Sequence, residues 1–222
     1  NPLARFHPGA RILSVGGFGC NLRCPFCQNH AISLEYDMSK AACYTPEAMA
    51  SLAVRTVADG NIGLAYTYNE PVVGFEFMYD CAVRIREAGL LNVMITNGYV
   101  TKDALRSILP LTDAVNIDVK GFTQGFYRKL GGELEPVKET VVMAARHCHT
   151  EVTTLVIPGE NDEDIAALAG WIASVDPHIP LHLSRFFPRY RYAGREPTPT
   201  ETLLRLCETA RRSLHYVYAG NM

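Results

Sequence analysis

Arg11-Ile-Leu-Ser-Val-Gly-Gly-Phe-Gly-Cys-Asn-Leu-Arg-Cys-Pro-Phe-Cys27 begins as an apolar run and ends in cysteines spaced C-x3-C-x2-C. Arg11–Val15 reads as a strand, and the glycines behind it as a loop leaving the strand's end. Cys20, Cys24 and Cys27 are therefore expected on a loop at one end of a sheet. Thiolates are soft ligands suited to iron–sulfur clusters, zinc and copper(I). Structural zinc takes four closed ligands, usually as two separated pairs, and the chain has no second C-x2-C pair. Three thiolates fit a [4Fe–4S] cluster that leaves one iron without a protein ligand. The competing readings are a zinc site completed by a distant Cys or His, a chance grouping of reduced thiols, and a redox dithiol. The last would leave Cys20 without a role.

Outward from this loop the same unit repeats. Strand-like runs at Arg11–Val15, 61–68, Leu91–Thr96, 114–119, 152–157 and 181–184 alternate with amphipathic helical stretches, and 216–218 reads as a last short strand. The helices carry start signals: Thr45 before Pro46 and Glu47, Thr101, Pro136, Asn161, and a capping box over Thr198-Pro-Thr-Glu201. Apolar faces follow, such as Phe77, Met78, Cys81, Ala82 and Ile85. Six strand–helix units without linkers imply an α/β fold with a parallel sheet and right-handed crossovers. No G-x-G-x-x-G follows the first strand, so Rossmann-type double winding is disfavoured. The expectation is a partial (β/α)6 barrel, one domain over residues 1–222, with its site at the C-terminal strand ends.

Composition excludes several classes. A net charge of −2 gives no footprint for nucleic acid, and no basic run or spanning apolar stretch points to a membrane. Seven cysteines, an odd number clustered at one place, do not form a secreted disulfide framework, so a cytoplasmic location is expected. Cys43, Cys81, Cys148 and Cys207 lie singly in helical or loop contexts, and most of them read as small buried hydrophobes. The chain starts at Asn1-Pro2 instead of Met, and upstream residues are expected.

The strand ends carry polar residues. Asn69 and Glu70 follow the second strand, where Glu70 either meets a ligand's ammonium or starts a helix. Thr96, Asn97 and Gly98 follow the third strand. Asp118 and Lys120 flank Val119 on one side of the fourth, and charges in an apolar strand are paired or functional. Ile157-Pro-Gly offers an apolar edge after the fifth, suited to an adenine ring, or a plain turn. His182, Ser184 and Arg185 end the sixth, ahead of an aromatic loop whose Arg185, Arg189 and Arg191 suit an anionic or planar substrate or a partner surface. His147 and His149 read as surface residues complementing a helix end.

C-x3-C-x-(aromatic)-C, with Phe26 as the aromatic, resembles the signature of radical S-adenosylmethionine (SAM) enzymes. From about Phe6 to Asn221 the chain is similar to the AmmeMemoRadiSam group, relatives of the pyruvate formate-lyase-activating enzymes. The similarity rests on Cys24-Pro-Phe-Cys-Gln-Asn, Tyr66-Thr-Tyr-Asn-Glu-Pro, Thr96-Asn-Gly-Tyr, Asn116-Ile-Asp-Val-Lys-Gly-Phe, Leu155-Val-Ile-Pro-Gly-Glu-Asn-Asp, Leu181-His-Leu-Ser-Arg-Phe and Tyr218-Ala-Gly-Asn. The resemblance implies that Cys20, Cys24 and Cys27 bind a [4Fe–4S] cluster whose open iron takes SAM, with reductive cleavage to a 5′-deoxyadenosyl radical. It also implies that Phe26 lies near adenine, that Asn69, Glu70, Thr96, Asn97, Asp118 and Lys120 contact SAM, and that His182 lies toward the substrate. An electron donor such as flavodoxin or ferredoxin is implied, with a protein, peptide or small molecule as substrate. The chain departs from the activases in two places, where Tyr68-Asn69-Glu70 replaces Gly-Gly-Glu and Ile95 replaces an Asp, and from the group in one, where Phe187 stands in place of the usual His. A non-catalytic iron–sulfur carrier, the alternative from another class, predicts a cluster indifferent to SAM.

Overall fold

The structure, a computed structural model, describes residues 3–222, so Asn1-Pro2 lie outside the described residues. Seven strands, β1 (Arg11–Val15), β2 (Asn61–Tyr66), β3 (Leu91–Thr96), β4 (Ala114–Asp118), β5 (His149–Val156), β6 (Leu181–Arg185) and β7 (Val217–Gly220), lie in one sheet in chain order. Every neighbouring pair is parallel. Each crossover thus moves one strand onward in the same direction, the winding expected of a partial barrel. Among the described residues β1 and β7 are its unpaired edges. The seventh strand closes the series one unit beyond the six strand–helix repeats, as the run at 216–218 suggested.

Helices α1 (His30–Ser33), α2 (Pro46–Arg55), α3 (Phe75–Glu87), α4 (Lys102–Ile108), α5 (Gln124–Lys129), α6 (Leu134–Ala145), α7 (Ile165–Val175) and α8 (Thr200–Arg211) fill the crossovers. Their apolar stripes meet one face of the sheet: Met78 and Ile85 of α3, Leu168 and Ile172 of α7, and Leu203 and Leu206 of α8 pack with Leu64, Met94, Ile117 and Leu183 in the main core. Thr45 and Thr101 accept the N–H bonds of Ala48 and Ala104, as their capping role requires. Among the described residues no helix is long and apolar enough to cross a membrane.

Three local expectations are corrected. The buried Thr198 does not cap α8; its hydroxyl donates to Val156 O at 2.6 Å and accepts from Phe186 N at 3.3 Å. A buried hydroxyl goes to the nearest unpaired backbone group, and the ends of β5 and β6 offer two. Asn161 likewise makes no helix cap. Its side chain accepts from Ile157 N and donates to Lys120 O and Leu155 O, at 2.7–2.8 Å, joining the ends of β4 and β5. His149 lies in β5, not at a helix end. The two shortest helices, α1 and α5, gave no legible period in the sequence because four to six residues cannot show one.

The concave face changes character along its length. Leu3, Phe6, Ile12, Ala65, Val93 and Ala114 form an apolar cluster there. Beside it the fully buried Glu151 carboxylate accepts the N–H groups of Ala4 (2.9 Å) and Arg5 (2.8 Å) and pairs with His149 (2.8 Å) and His182 (2.5 Å). The Arg5 guanidinium lies 3.7 Å over the Tyr216 ring. Residues ahead of β1 thus plug the base of the barrel. Desolvation alone would raise the Glu151 pKa, but the bonds from His149, His182, Arg5 and Ala4 outweigh it and hold the carboxyl down to about 2. A depressed acid contributes stability above its ordinary value of 4.5, lost as pH falls through about 2. Glu151→Ala, which strands these donors, is expected to cost on the order of 3–5 kcal/mol, read from urea midpoints at pH 7. Glu151→Gln, which keeps an acceptor, should cost less.

Candidate active site

The loop from β1 to the cysteines is shaped by close contacts. A side chain at Gly16 would meet the Tyr68 ring at 2.9 Å, and Gly19 has φ +92°. Asn69 latches this loop, accepting from Gly17 N and donating to Gly19 O, both at 3.0 Å. Arg23 N donates to Leu130 O at 2.7 Å, tying the motif to the end of α5. Between the cysteines, buried Leu22 and Phe26 pack with Phe126, Leu130, Ile157 and Phe186. The apolar residues of the motif act as hooks that leave its thiols facing inward.

Cys20, Cys24 and Cys27 are free thiols and all line one cavity of about 310 Å³ at the C-terminal ends of the strands. Burial pushes the Cys24 thiol up to about 12 and raises Cys20 as well. Cys20 Sγ accepts weak bonds from Leu22 N (3.4 Å) and Asn97 Nδ2 (3.6 Å). Across from Cys24 stands Lys120, whose ammonium pairs with Asp118 at 2.5 Å. Burial would lower the Lys120 pKa; Asp118 and the Cys24 sulfur outweigh it and hold the amine protonated. A buried cation beside buried thiols suits a site that gains negative charge when the thiols ionise on a metal. Among the described residues no three His, Cys, Asp or Glu side chains converge as one metal ion requires. A multinuclear cluster binds each thiolate on a different iron and makes no such demand. The donor set fits a [4Fe–4S] cluster.

Glu70 forms the opposite wall. Only 1% exposed, it accepts from Thr96 Oγ1 (2.8 Å), Asn97 N (2.7 Å) and Val72 N (3.2 Å). Burial pushes its carboxyl up to about 7 against the pull of these donors. The bond from Val72 caps the 3-10 turn Pro71–Gly74, so Glu70 starts that turn and also faces the cavity. Asn97 adds a bond to Asn21 Oδ1 at 2.8 Å, connecting the end of β3 to the cysteine loop. Tyr68, at φ 73° and 56% exposed, forms the cavity's outer lip. A tyrosine held at positive φ is strained, and such strain persists where its surroundings enforce it; here Asn29 Nδ2 holds the Tyr68 carbonyl at 2.6 Å.

Among the residues read from the sequence, Cys20, Cys24, Cys27, Phe26, Asn69, Glu70, Thr96, Asn97, Asp118 and Lys120 all line this cavity, and Ile95 does too. Ile157 and His182 do not. Ile157 packs behind Phe26, and His182 lies deeper, on Glu151 and stacked on Tyr218. The reason is the two-residue period of a strand: His182 shares the inward face with Ser184, but Ser184 is nearer the mouth and takes the lining place. The sequence reading missed Thr153. It is the cross-strand partner of Asp118, and Thr153 Oγ1 and Asp118 Oδ1 are buried without a hydrogen-bond partner among the described residues. A β-branched residue in a β-branched strand carries no signal of its own; only parallel register with Asp118 reveals it. Arg185 turns away to Thr198 O at 2.5 Å, with Phe187 beneath its guanidinium.

Such a sheet, with three cysteines on its first loop, defines the class. Residues 14–172 match the Radical SAM superfamily, and the chain belongs to it. Its members bind [4Fe–4S] clusters and SAM and are generally enzymes of radical reactions. MJ0808 of Methanocaldococcus jannaschii is 42% identical over 232 residues, covering all of this chain and 67% of that protein. SuiB of Streptococcus suis, solved bound to S-adenosylmethionine, has the same fold at 12% identity and TM-score 0.72, over 95% of this chain and 50% of that one. A domain of pyruvate-formate lyase-activating enzyme from Bacteroides vulgatus is similar at 16% identity and TM-score 0.62, over 72% and 99%.

Proposed function

We propose that this protein is a radical SAM enzyme of the AmmeMemoRadiSam group, related to the glycyl-radical activases, and that residues 1–222 form one such domain. The observation that carries the reading is that three thiols and the buried Glu70 carboxylate open onto one cavity. Cys20, Cys24 and Cys27 would hold the [4Fe–4S] cluster. When bound, that cluster supplies an electron and an open iron, with which SAM is cleaved to methionine and a 5′-deoxyadenosyl radical that abstracts hydrogen from the substrate.

The chain's own side chains do the rest. Glu70, oriented by Thr96 and the Asn97 N–H, accepts hydrogen bonds from the methionyl ammonium, a charge-assisted contact. Asn69 holds the glycine loop against the cysteines, and Phe26 gives an apolar wall. Lys120 offsets the negative charge of the thiolates, while the free Asp118 and Thr153 oxygens accept donors of SAM or substrate. The hydrogen donor is a protein, peptide or small molecule that enters past Tyr68. Cluster chemistry of this kind is oxygen-sensitive and belongs in the cytoplasm.

The test is anaerobic. Protein reconstituted with iron and sulfide and reduced with dithionite is expected to give a [4Fe–4S]⁺ EPR signal that changes on adding SAM, with 5′-deoxyadenosine formed. A cluster whose spectrum ignores SAM would mark an electron carrier instead, and stoichiometric zinc would mark a metal-binding module.

A further inference from the structure

Glu160 stands in the stretch Leu155-Val-Ile-Pro-Gly-Glu-Asn-Asp, yet it is not part of the central cavity's lining. It sits on the turn behind β5, where its N–H donates to Ile157 O at 3.0 Å, and its side chain is only 14% exposed. Three groups converge on its carboxylate. Oε1 accepts the Tyr192 hydroxyl at 3.0 Å and Arg195 Nη1 at 2.8 Å, and Oε2 accepts Lys129 Nζ at 3.0 Å. Arg195 is itself tied down, donating to Pro158 O at 3.0 Å with its guanidinium 4.6 Å over the Tyr192 ring. Burial alone would raise the Glu160 pKa; the bonds from Lys129, Arg195 and Tyr192 outweigh it and hold the carboxyl below its ordinary 4.5. The Tyr192 ring in turn lies 5.9 Å from that of Phe26, tilted by 51°, while Phe126 stacks on Phe26 at 6.1 Å. Phe26 lines the central cavity, and Tyr192 and Phe126 bear on it from outside the lining.

We infer that Glu160 is a positioning residue for SAM: through Tyr192 it fixes the angle of the Phe26 ring, and so the apolar wall that the cofactor meets. The inference rests on the function proposed above, in which Phe26 supplies that wall. The physical reason is direction. Apolar burial is non-directional, so packing by Leu22, Phe126 and Ile157 buries Phe26 without fixing one tilt. A hydroxyl bonded to a carboxylate is directional and charge-assisted, and it holds Tyr192 against the Phe26 ring in one orientation. Tyr192 and Arg195 carry most of the effect, because Lys129 is 63% exposed and an ion pair so open to solvent contributes little. The thiols are anchored elsewhere, by Asn69 on the glycine loop, by Asn97 on Asn21 and by Leu130 O on Arg23 N. Loss of Glu160 should therefore disturb the SAM side of the site and leave cluster loading intact.

The experiment uses the cluster-loaded chain under anaerobic conditions and compares Glu160→Ala, Glu160→Gln, Tyr192→Phe, Tyr192→Leu and the E160A/Y192L double variant. SAM affinity is measured by calorimetry per assembled cluster, and 5′-deoxyadenosine formation with dithionite is followed against SAM concentration. Glu160→Ala should weaken SAM binding about tenfold, as loss of one hydrogen bond to a charged group does, and Tyr192→Leu at least as much. Iron per chain should stay at the wild-type level. The rate at saturating SAM should stay within about twofold, since a lost binding contact raises KM with kcat unchanged. Glu160→Gln, which still accepts the Tyr192 hydroxyl, should restore most of the affinity. Tyr192→Phe removes only that hydroxyl; it should fall between wild type and Glu160→Ala, and it decides the matter if Glu160→Ala does not fold. E160A/Y192L should bind no more weakly than the weaker single variant, because both residues act on one ring. Additive losses in the double variant overturn the route through Tyr192. Wild-type SAM affinity per cluster in Glu160→Ala and Tyr192→Phe, with iron content or melting temperature lowered instead, marks a merely structural role and overturns the positioning. Failure of wild type to bind and cleave SAM overturns the function proposed above, and the positioning falls with it.

Discussion

Cys24→Ala is expected to lose the reconstituted iron–sulfur absorbance and all 5′-deoxyadenosine formation while remaining folded by circular dichroism. Cys24 is the most buried of the three thiols, and burial in apolar surroundings pushes it up to about 12 when no metal holds it. A neutral thiol there is a poor ligand until a cluster and the nearby Lys120 cation draw off its proton. Removing an outer partner of a metal ligand typically costs about 10–100-fold in affinity or activity; removing a ligand from a set of three should cost more. Alanine fills almost the same space, so packing by Leu22 and Phe26 should survive. Iron content per chain, with EPR and a deoxyadenosine assay, decides it. Full retention of either cluster or product would remove Cys24 from the site.

Glu70→Ala is expected to keep the cluster and weaken SAM binding by about 10–100-fold, the equivalent of one lost charge-assisted hydrogen bond. Glu70→Gln, which keeps acceptors for Asn97 N and Thr96 Oγ1, separates the charge from the scaffold. The pH dependence follows from the raised carboxyl. In the unliganded protein burial pushes it to about 7 from an ordinary 4.5. The stability gained by burying it protonated is fully present below about 4.5 and lost as pH rises through about 7. SAM affinity runs the other way, falling as pH drops below about 7, because the ammonium needs the ionised form. Calorimetry in buffers of different ionisation enthalpy should show proton release on binding near pH 6, and Glu70→Gln should abolish it. Unchanged SAM affinity in both variants would reject the role.

The barrel was legible because its signals are local. Apolar strands, glycine stops and proline-led helix starts recur at similar spacing, and a parallel sheet connects such units without linkers; single winding was read from the missing G-x-G-x-x-G after the first strand. The polar strand ends were legible for the same reason: a charge such as Asp118 or Lys120 stands out in an apolar run. Thr198 and Asn161 were misread because a hydroxyl or amide takes whichever backbone group lies nearest in space, and those groups belonged to distant strands. Ile157 and His182 stand at the ends of their strands but do not line the cavity, since lining depends on how far along its strand a residue sits and what packs in front of it.

The identity and spacing of Cys20, Cys24 and Cys27, the α/β repeat and the polar residues at each strand end were written in the chain itself, through short-range stereochemistry and ligand softness. Tertiary structure alone decided that Glu70 is sealed by Thr96 and Asn97, that Thr153 faces the cavity beside Asp118, and that Glu151 anchors the residues ahead of β1. Each of these depends on register and packing between segments far apart in the chain, where burial sets the energy of a charge and no local pattern encodes the neighbour.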